Sequence, residues 1–282
     1  MTAQLFDDRT CSLGEGPLWH PERQQLFWFD INNKKMLSLK DGKQLEWSFD
    51  RFVSAAGWIN TDTLLIASET NLFEFNLNSG ESLHVCDLEA DNPLTRSNDG
   101  RADPWGGFWI GTMGKNAEEN AGSIYRYFQG KLIKLFGGIT ISNSICFSPD
   151  RQNAYYTDTA TRKIMRQPLG SEGWPVGSSE LFVDLSKDDL NPDGAVVDAE
   201  GCLWSAQWGA SRIARYSPDG VFLSAVEFPA KQISCPAFGG QNMTTLFATS
   251  ATQNMGAPSI EQGRTYCASV MVKGQPEHHI LL

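Results

Sequence analysis

Histidine is scarce in this chain, with His20, His84, His278 and His279 the only four among 282 residues, so a His-rich zinc centre is not expected. The six cysteines (Cys11, Cys86, Cys146, Cys202, Cys235 and Cys267) stand singly, without a C-x-x-C pair. That spacing excludes a disulfide-stapled miniprotein and points to buried thiols. No window approaches the roughly 18 apolar residues of a membrane-spanning helix. The N-terminal MTAQLFDDRTCSLGEG lacks a basic stretch followed by an apolar one. A soluble, cytoplasmic protein with no membrane partner is expected. Positive charge is also in deficit, with 23 Lys and Arg against 33 Asp and Glu for a net charge of −10. Nucleic acid and anionic membranes both demand a basic face, so neither is expected as a partner, whereas a cation is. Phosphate loops of the G-x-x-x-x-G-K-[ST] and G-x-G-x-x-G types are missing, as is a G-x-S-x-G nucleophile elbow.

Amphipathic helices of ten or more residues are lacking too, and short aromatic runs take their place. The chain has 26 Gly, 9 Trp and 16 Phe. Leu26-Phe27-Trp28-Phe29, Phe108-Trp109-Ile110, Ala154-Tyr155-Tyr156 and Leu203-Trp204 read as strands bounded by turn residues. Six segments share one pattern, a small or polar opening, an apolar run, a turn and a second strand. They open at Glu15, Ala56, Asn98, Asn143, Asp193 and Cys235, with spacings of 41, 42, 45, 50 and 42 residues. This is the period of four-stranded propeller blades, which a β-sandwich has no reason to keep through six cycles. Third strands are predicted at Met36–Leu39, Leu72–Leu77, Ile124–Tyr127, Ile164–Gln167, Ile213–Tyr216 and Ala268–Val272. Fourth strands are predicted at Glu46–Phe49, Ser82–Val85, Leu132–Leu135, Glu180–Val183 and Leu223–Phe228. The expectation is an all-β, six-bladed β-propeller forming a single domain over residues 1–282. Its last blade would be completed by His279–Leu282, by Gln4–Asp7, or by both, because closure removes free sheet edges.

Innermost propeller strands converge on the axis, so the residues that open each repeat lie near the central channel. Glu15, Asn98, Asn143 and Asp193 hold the same phase in four repeats, and all offer oxygen. Singly, each reads as turn chemistry. Together they form a hard, oxygen-only set that suits Ca²⁺, Mg²⁺ or Mn²⁺, while Zn²⁺ and Fe²⁺ also accept carboxylates. Trp19, Trp58, Trp105 and Trp208 fall close to the predicted loops at the channel mouth, where they would form either an apolar wall or blade packing.

The strings GEGPLW (14–19), RSNDGRADPWGGFWIGTM (96–113), ISNSICFSPD (141–150) and NPDGAVVDAEGCLW (191–204) occur in order along the chain. Together they resemble the signatures of the regucalcin, gluconolactonase and luciferin-regenerating family. The resemblance covers essentially the whole chain. It implies a six-bladed propeller holding one divalent metal through Glu15, Asn143 and Asp193. It also places substrate contacts on Arg96 and Asn98, where the R-x-N-D-G pattern is intact. A further acidic family position falls on Glu118, four residues before the Gly that precedes the I-Y strand, with Glu119 as the alternative in the loop GKNAEENAGS.

These residue types suit hydrolysis of a sugar lactone. A cation held by two carboxylates keeps open positions from which it polarises a carbonyl. Asp193 would double as the general base, Arg96 would supply a donor fork, and Asn98 and Glu118 would bond sugar hydroxyls. The expected activity is therefore metal-dependent opening of an aldonolactone to its aldonic acid, by a monomer or small homo-oligomer. The alternatives are a phosphotriesterase or aryl-lactone hydrolase, and a non-catalytic calcium-binding or interaction propeller, since the fold specifies no function by itself.

Overall fold

The computed structural model describes residues 2–282, which form six four-stranded antiparallel sheets around one axis. The inner strands are Gly14–His20, Val53–Asn60, Thr95–Ala102, Ser142–Phe147, Asn191–Val197 and Ile233–Gly239, defining blades 1 to 6. Neighbouring inner strands touch in ring order, and the sixth returns to the first. Each therefore begins at or within a few residues of the opening read from the repeat. Only two short 3-10 turns, Thr159–Thr161 and Ser186–Asp188, interrupt the strands and loops of the described residues.

The repeat exists because each sheet must bury both faces against its neighbours. Six apolar clusters fill the six junctions between consecutive blades. Phe27, Phe29, Leu64 and Phe75, for example, lie between blades 1 and 2, and Trp204, Val226, Phe238 and Leu246 between blades 5 and 6. Trp28, Trp109 and Trp204, one from the second strand of alternate blades, are fully buried. Such wide aromatic side chains fill a wedge that opens outward from the axis.

Of the closures expected for the last blade, the N-terminal one is realised. Gln4–Asp7 pairs with Thr265–Ser269, bringing Gln4 opposite Cys267 and Leu5 opposite Tyr266. That third strand lies three residues before the predicted Ala268–Val272. The C-terminal residues instead cross the end of the propeller remote from the inner-strand starts. There the Ile280 N–H donates to Trp58 O at 2.9 Å and the Leu281 N–H to Gly106 O at 2.9 Å. Partly buried Arg101 pairs with buried Glu277 beneath the channel. No helix of the described residues is long and apolar enough to cross a membrane.

Candidate active site

Every inner strand breaks register with its neighbour near its start. The irregularities fall at 15–18, 53–55, 97–100, 143–146, 192–195 and 233–236. A bulge turns a side chain out of the sheet plane, and here four of them aim Glu15, Asn98, Asn143 and Asp193 at the axis. The backbone that allows this is specific. Gly16 has φ +52, and a Cβ there would lie 2.2 Å from Ser54 O. At Gly194 a Cβ would sit 2.3 Å from Cys235 Sγ. Ser144 takes φ 58 without being glycine, and its hydroxyl donates to Asp193 O at 2.5 Å, tying blade 4 to blade 5 beside the site.

Glu15, Arg96, Asn98, Asn143 and Asp193 line one cavity of about 620 Å³, a volume suited to a small ligand. All five are buried. The Arg96 guanidinium donates through Nη1 to Asn98 Oδ1 and Ser97 O, both at 2.8 Å. Asn98 Nδ2 in turn donates to Ser142 O at 2.8 Å and Asn143 Oδ1 at 3.2 Å. Asn143 Nδ2 donates to Thr159 Oγ1 at 2.9 Å, which fixes the amide with its oxygen toward Asn98. The cavity mouth is anchored by two aspartates at equivalent places in blades 1 and 4. Asp30 accepts from the N–H groups of Ser12 and Leu13, and Asp158 from those of Thr140 and Ile141.

Electrostatically the two carboxylates of the site lack a cation in direct contact, since Arg96 is engaged by Asn98 and Ser97. Burial raises the Glu15 pKa, nearby Asp99 raises it further, and the Gly16 N–H and Arg96 offset only part. Asp193 is pushed up first by burial, then by Glu15 and Asp99. Burial also carries Asp99 up to about 6, opposed by the N–H of Ile145, which donates to Asp99 Oδ2 at 2.7 Å. Arg96 is pulled down to about 10 by burial, with Glu15 and Asp193 pulling the other way. Among the described residues neither Glu15 nor Asp193 has an ion-pair partner within 4.0 Å. Two buried carboxylates without a cationic partner, beside an amide oxygen of fixed orientation, fit a hard divalent cation. Glu15, Asn143 and Asp193 are the residues of this cavity suited to hold one.

Five of the six residues singled out in the sequence thus converge. Glu118 stands apart from them on the exposed turn after Gly114, where its carboxylate accepts from the Asn116 N–H at 3.1 Å and from Asn116 Nδ2 at 3.0 Å. Asn116 and its neighbour Lys115 line the cavity in its place, and Glu119 is exposed. Of the four tryptophans only Trp208 reaches the cavity. Trp19 stacks on Phe247 at 5.5 Å, Trp58 Nε1 donates to Glu277 O, and Trp105 Nε1 donates to Ser171 O, so these three serve packing. Gln253 and Asn254, also lining the cavity, carry no signal in the repeat. Asp99 was in plain sight within R-x-N-D-G, but its direction depends on the bulge. A second acidic group, Asp198, Glu200 and Cys202, brings its ligand atoms within 4.8 Å of one another. Arg215 already occupies that group, through Nε to Asp198 Oδ2 at 2.9 Å and through Nη2 to Glu200 at 2.6 Å.

Residues 13–252 match the family model described as SMP-30/Gluconolactonase/LRE-like region. An L-arabinolactonase of Azospirillum brasilense is 36% identical over 256 residues, covering 88% of this chain and 84% of its own. A 6-deoxy-6-sulfogluconolactonase of Pseudomonas putida is 32% identical over 279 residues, covering 94% of each. The crystal structure of a calcium-binding protein, regucalcin, from Agrobacterium tumefaciens superposes with a TM-score of 0.97 at 38% identity, covering 100% of this chain and 98% of that one.

Proposed function

Because the chain belongs to the SMP-30/gluconolactonase/LRE-like family, we propose that it hydrolyses a sugar lactone to the aldonic acid, with a divalent cation held by Glu15, Asn143 and Asp193. The observation that carries this reading is the convergence of two buried, unpaired carboxylates with an Arg–Asn pair in one ligand-sized cavity. The lactonase names of relatives similar over almost their whole length support the substrate class.

A divalent cation bound there would supply Lewis-acid polarisation of the carbonyl and the positive charge that keeps both carboxylates ionised. The chain's own residues do the rest. Arg96, already fixed by Asn98, offers its remaining N–H donors to lactone oxygens. Asn116, oriented by Glu118, meets the ring hydroxyls at the rim. Asp193 takes a proton from water as the water oxygen bonds to the carbonyl carbon. The acyl–oxygen bond of the ring then breaks, and the proton passes to the departing ring oxygen, leaving a hydroxy acid.

Acid release from a panel of pentono- and hexonolactones, with protein reconstituted separately with Ca²⁺, Mg²⁺, Mn²⁺, Zn²⁺ and Fe²⁺, tests the reading. Calcium comes first, because the regucalcin of Agrobacterium tumefaciens is described as calcium-binding. Turnover of at least one sugar lactone is expected. Tight cation binding with no turnover of any lactone would favour a non-catalytic calcium binder.

A further inference from the structure

A second hollow, of about 450 Å³, opens over blades 4 and 5. It shares Ile141, Thr159 and Trp208 with the cavity that holds Asp193, so the two form one continuous depression with Trp208 at the divide. Trp208 ends the second strand of blade 5 and lies directly opposite Asn191 in the ladder. Residues so paired project from the same face, which puts the indole and the Asn191 amide side by side. Trp208 also packs against the apolar cluster containing Leu13 and Ala251, and this contact holds its ring in place.

The chemistry of the second hollow is neutral. Its one cationic side chain, Arg162, is already held by Asn191 Oδ1 at 3.0 Å through Nε and by Asp189 at 2.5 Å through Nη1. With its oxygen engaged, Asn191 has its amide N–H donors left to offer. The Thr161 hydroxyl donates to Asp158 O at 2.8 Å, leaving its lone pairs to accept. An indole beside uncharged donors and acceptors matches a ring with an apolar C–H face and a rim of hydroxyls. An anionic substituent would find no free positive charge there.

We propose that this hollow is a subsite for a second sugar ring, and that the enzyme accepts lactones of disaccharide aldonic acids, with the lactone ring over Asp193 and the glycosyl unit against Trp208. The inference rests on the lactonase reading and narrows its substrate class. It is tested by comparing kcat/KM for glucono-1,5-lactone with that for maltobiono-, lactobiono- and melibiono-lactone, in the wild type and in Thr161→Trp and Asn191→Ala, at two residues that line the second hollow and not the first. Quenching of tryptophan fluorescence by the corresponding disaccharide aldonic acids is measured alongside.

The wild type is expected to open at least one disaccharide lactone with kcat/KM no more than about tenfold below that for gluconolactone. Each variant should lose about tenfold or more on that substrate, mainly through KM, while staying within about twofold on gluconolactone, because a contact remote from the reacting bond changes binding alone. Quenching by the disaccharide acid should weaken in parallel. Should Thr161→Trp lose gluconolactone turnover as well, Asn191→Ala decides. Gluconolactone turnover with all disaccharide lactones refused by more than about 100-fold, or with variants indistinguishable from wild type on them, overturns the subsite and leaves the lactonase reading standing. Failure to open any lactone overturns both.

Discussion

The proposed reaction gives Asp193 two duties, cation ligand and proton acceptor, and one substitution separates them. Asp193→Asn keeps an oxygen for coordination and removes the base. Turnover is expected to fall roughly 10²–10⁴-fold, with cation content retained by elemental analysis. A loss that instead tracks loss of cation and is rescued by excess cation would reduce Asp193 to a ligand. The proposal gives Arg96 a different role, in binding the lactone. Its guanidinium is buried and held on Asn98, so Arg96→Ala should weaken lactone binding by about 1.5–3 kcal/mol, the worth of a charged hydrogen bond. The change should appear in KM, and unchanged kinetics on every lactone would make the R-x-N-D-G motif structural. At this scale the sequence is legible where a residue sits in the repeat. Glu15, Asn98, Asn143 and Asp193 share a phase, and phase is direction. Glu118 lies in a loop outside the repeat, where residue type alone does not reveal that Asn116 faces the cavity and Glu118 bonds behind it.

The inner strand is the element that turns sequence into a site. Its bulge, present in all six blades, lets a residue at the start of a strand face the axis. Gly16 is the most constrained point of that device, with positive φ and the Ser54 carbonyl where a Cβ would go. Gly16→Ala should therefore destabilise the fold by more than about 1 kcal/mol, beyond the usual compatible-site range, and lower cation affinity by displacing Glu15. A denaturation midpoint and a cation titration equal to wild type would contradict this. Strand positions were largely readable because aromatic runs and turn residues recur every forty or so residues. The last blade was less so, since its strands come from both ends of the chain and only pairing shows that Gln4–Asp7 is its outer strand. The second hollow was not readable at all, because Trp208 and Asn191 meet only through the strand pairing.

At the scale of the whole molecule, six blades bring carboxylates from opposite parts of the chain into one buried place. The fold holds them there at an electrostatic cost that a cation would offset. Both Glu15 and Asp193 have pKa values raised above the ordinary carboxylate range. In the cation-free protein the unfolded chain therefore releases these protons first as pH rises from about 4, so the folded state binds more protons and loses stability with increasing pH. A cation that binds the folded state reverses the effect by stabilising the ionised pair. The gap in urea midpoint between cation-loaded and cation-free protein should widen from pH 5 to pH 8, and a gap independent of pH would contradict the assignment of these two carboxylates. The most direct measurement is simpler still. Protein stripped by chelation and shown cation-free by elemental analysis is assayed on the best sugar lactone, before and after a divalent cation is returned. Turnover should vanish in the stripped, still folded protein and recover on re-addition, whereas full activity without the cation would contradict cation-assisted hydrolysis at Glu15, Asn143 and Asp193.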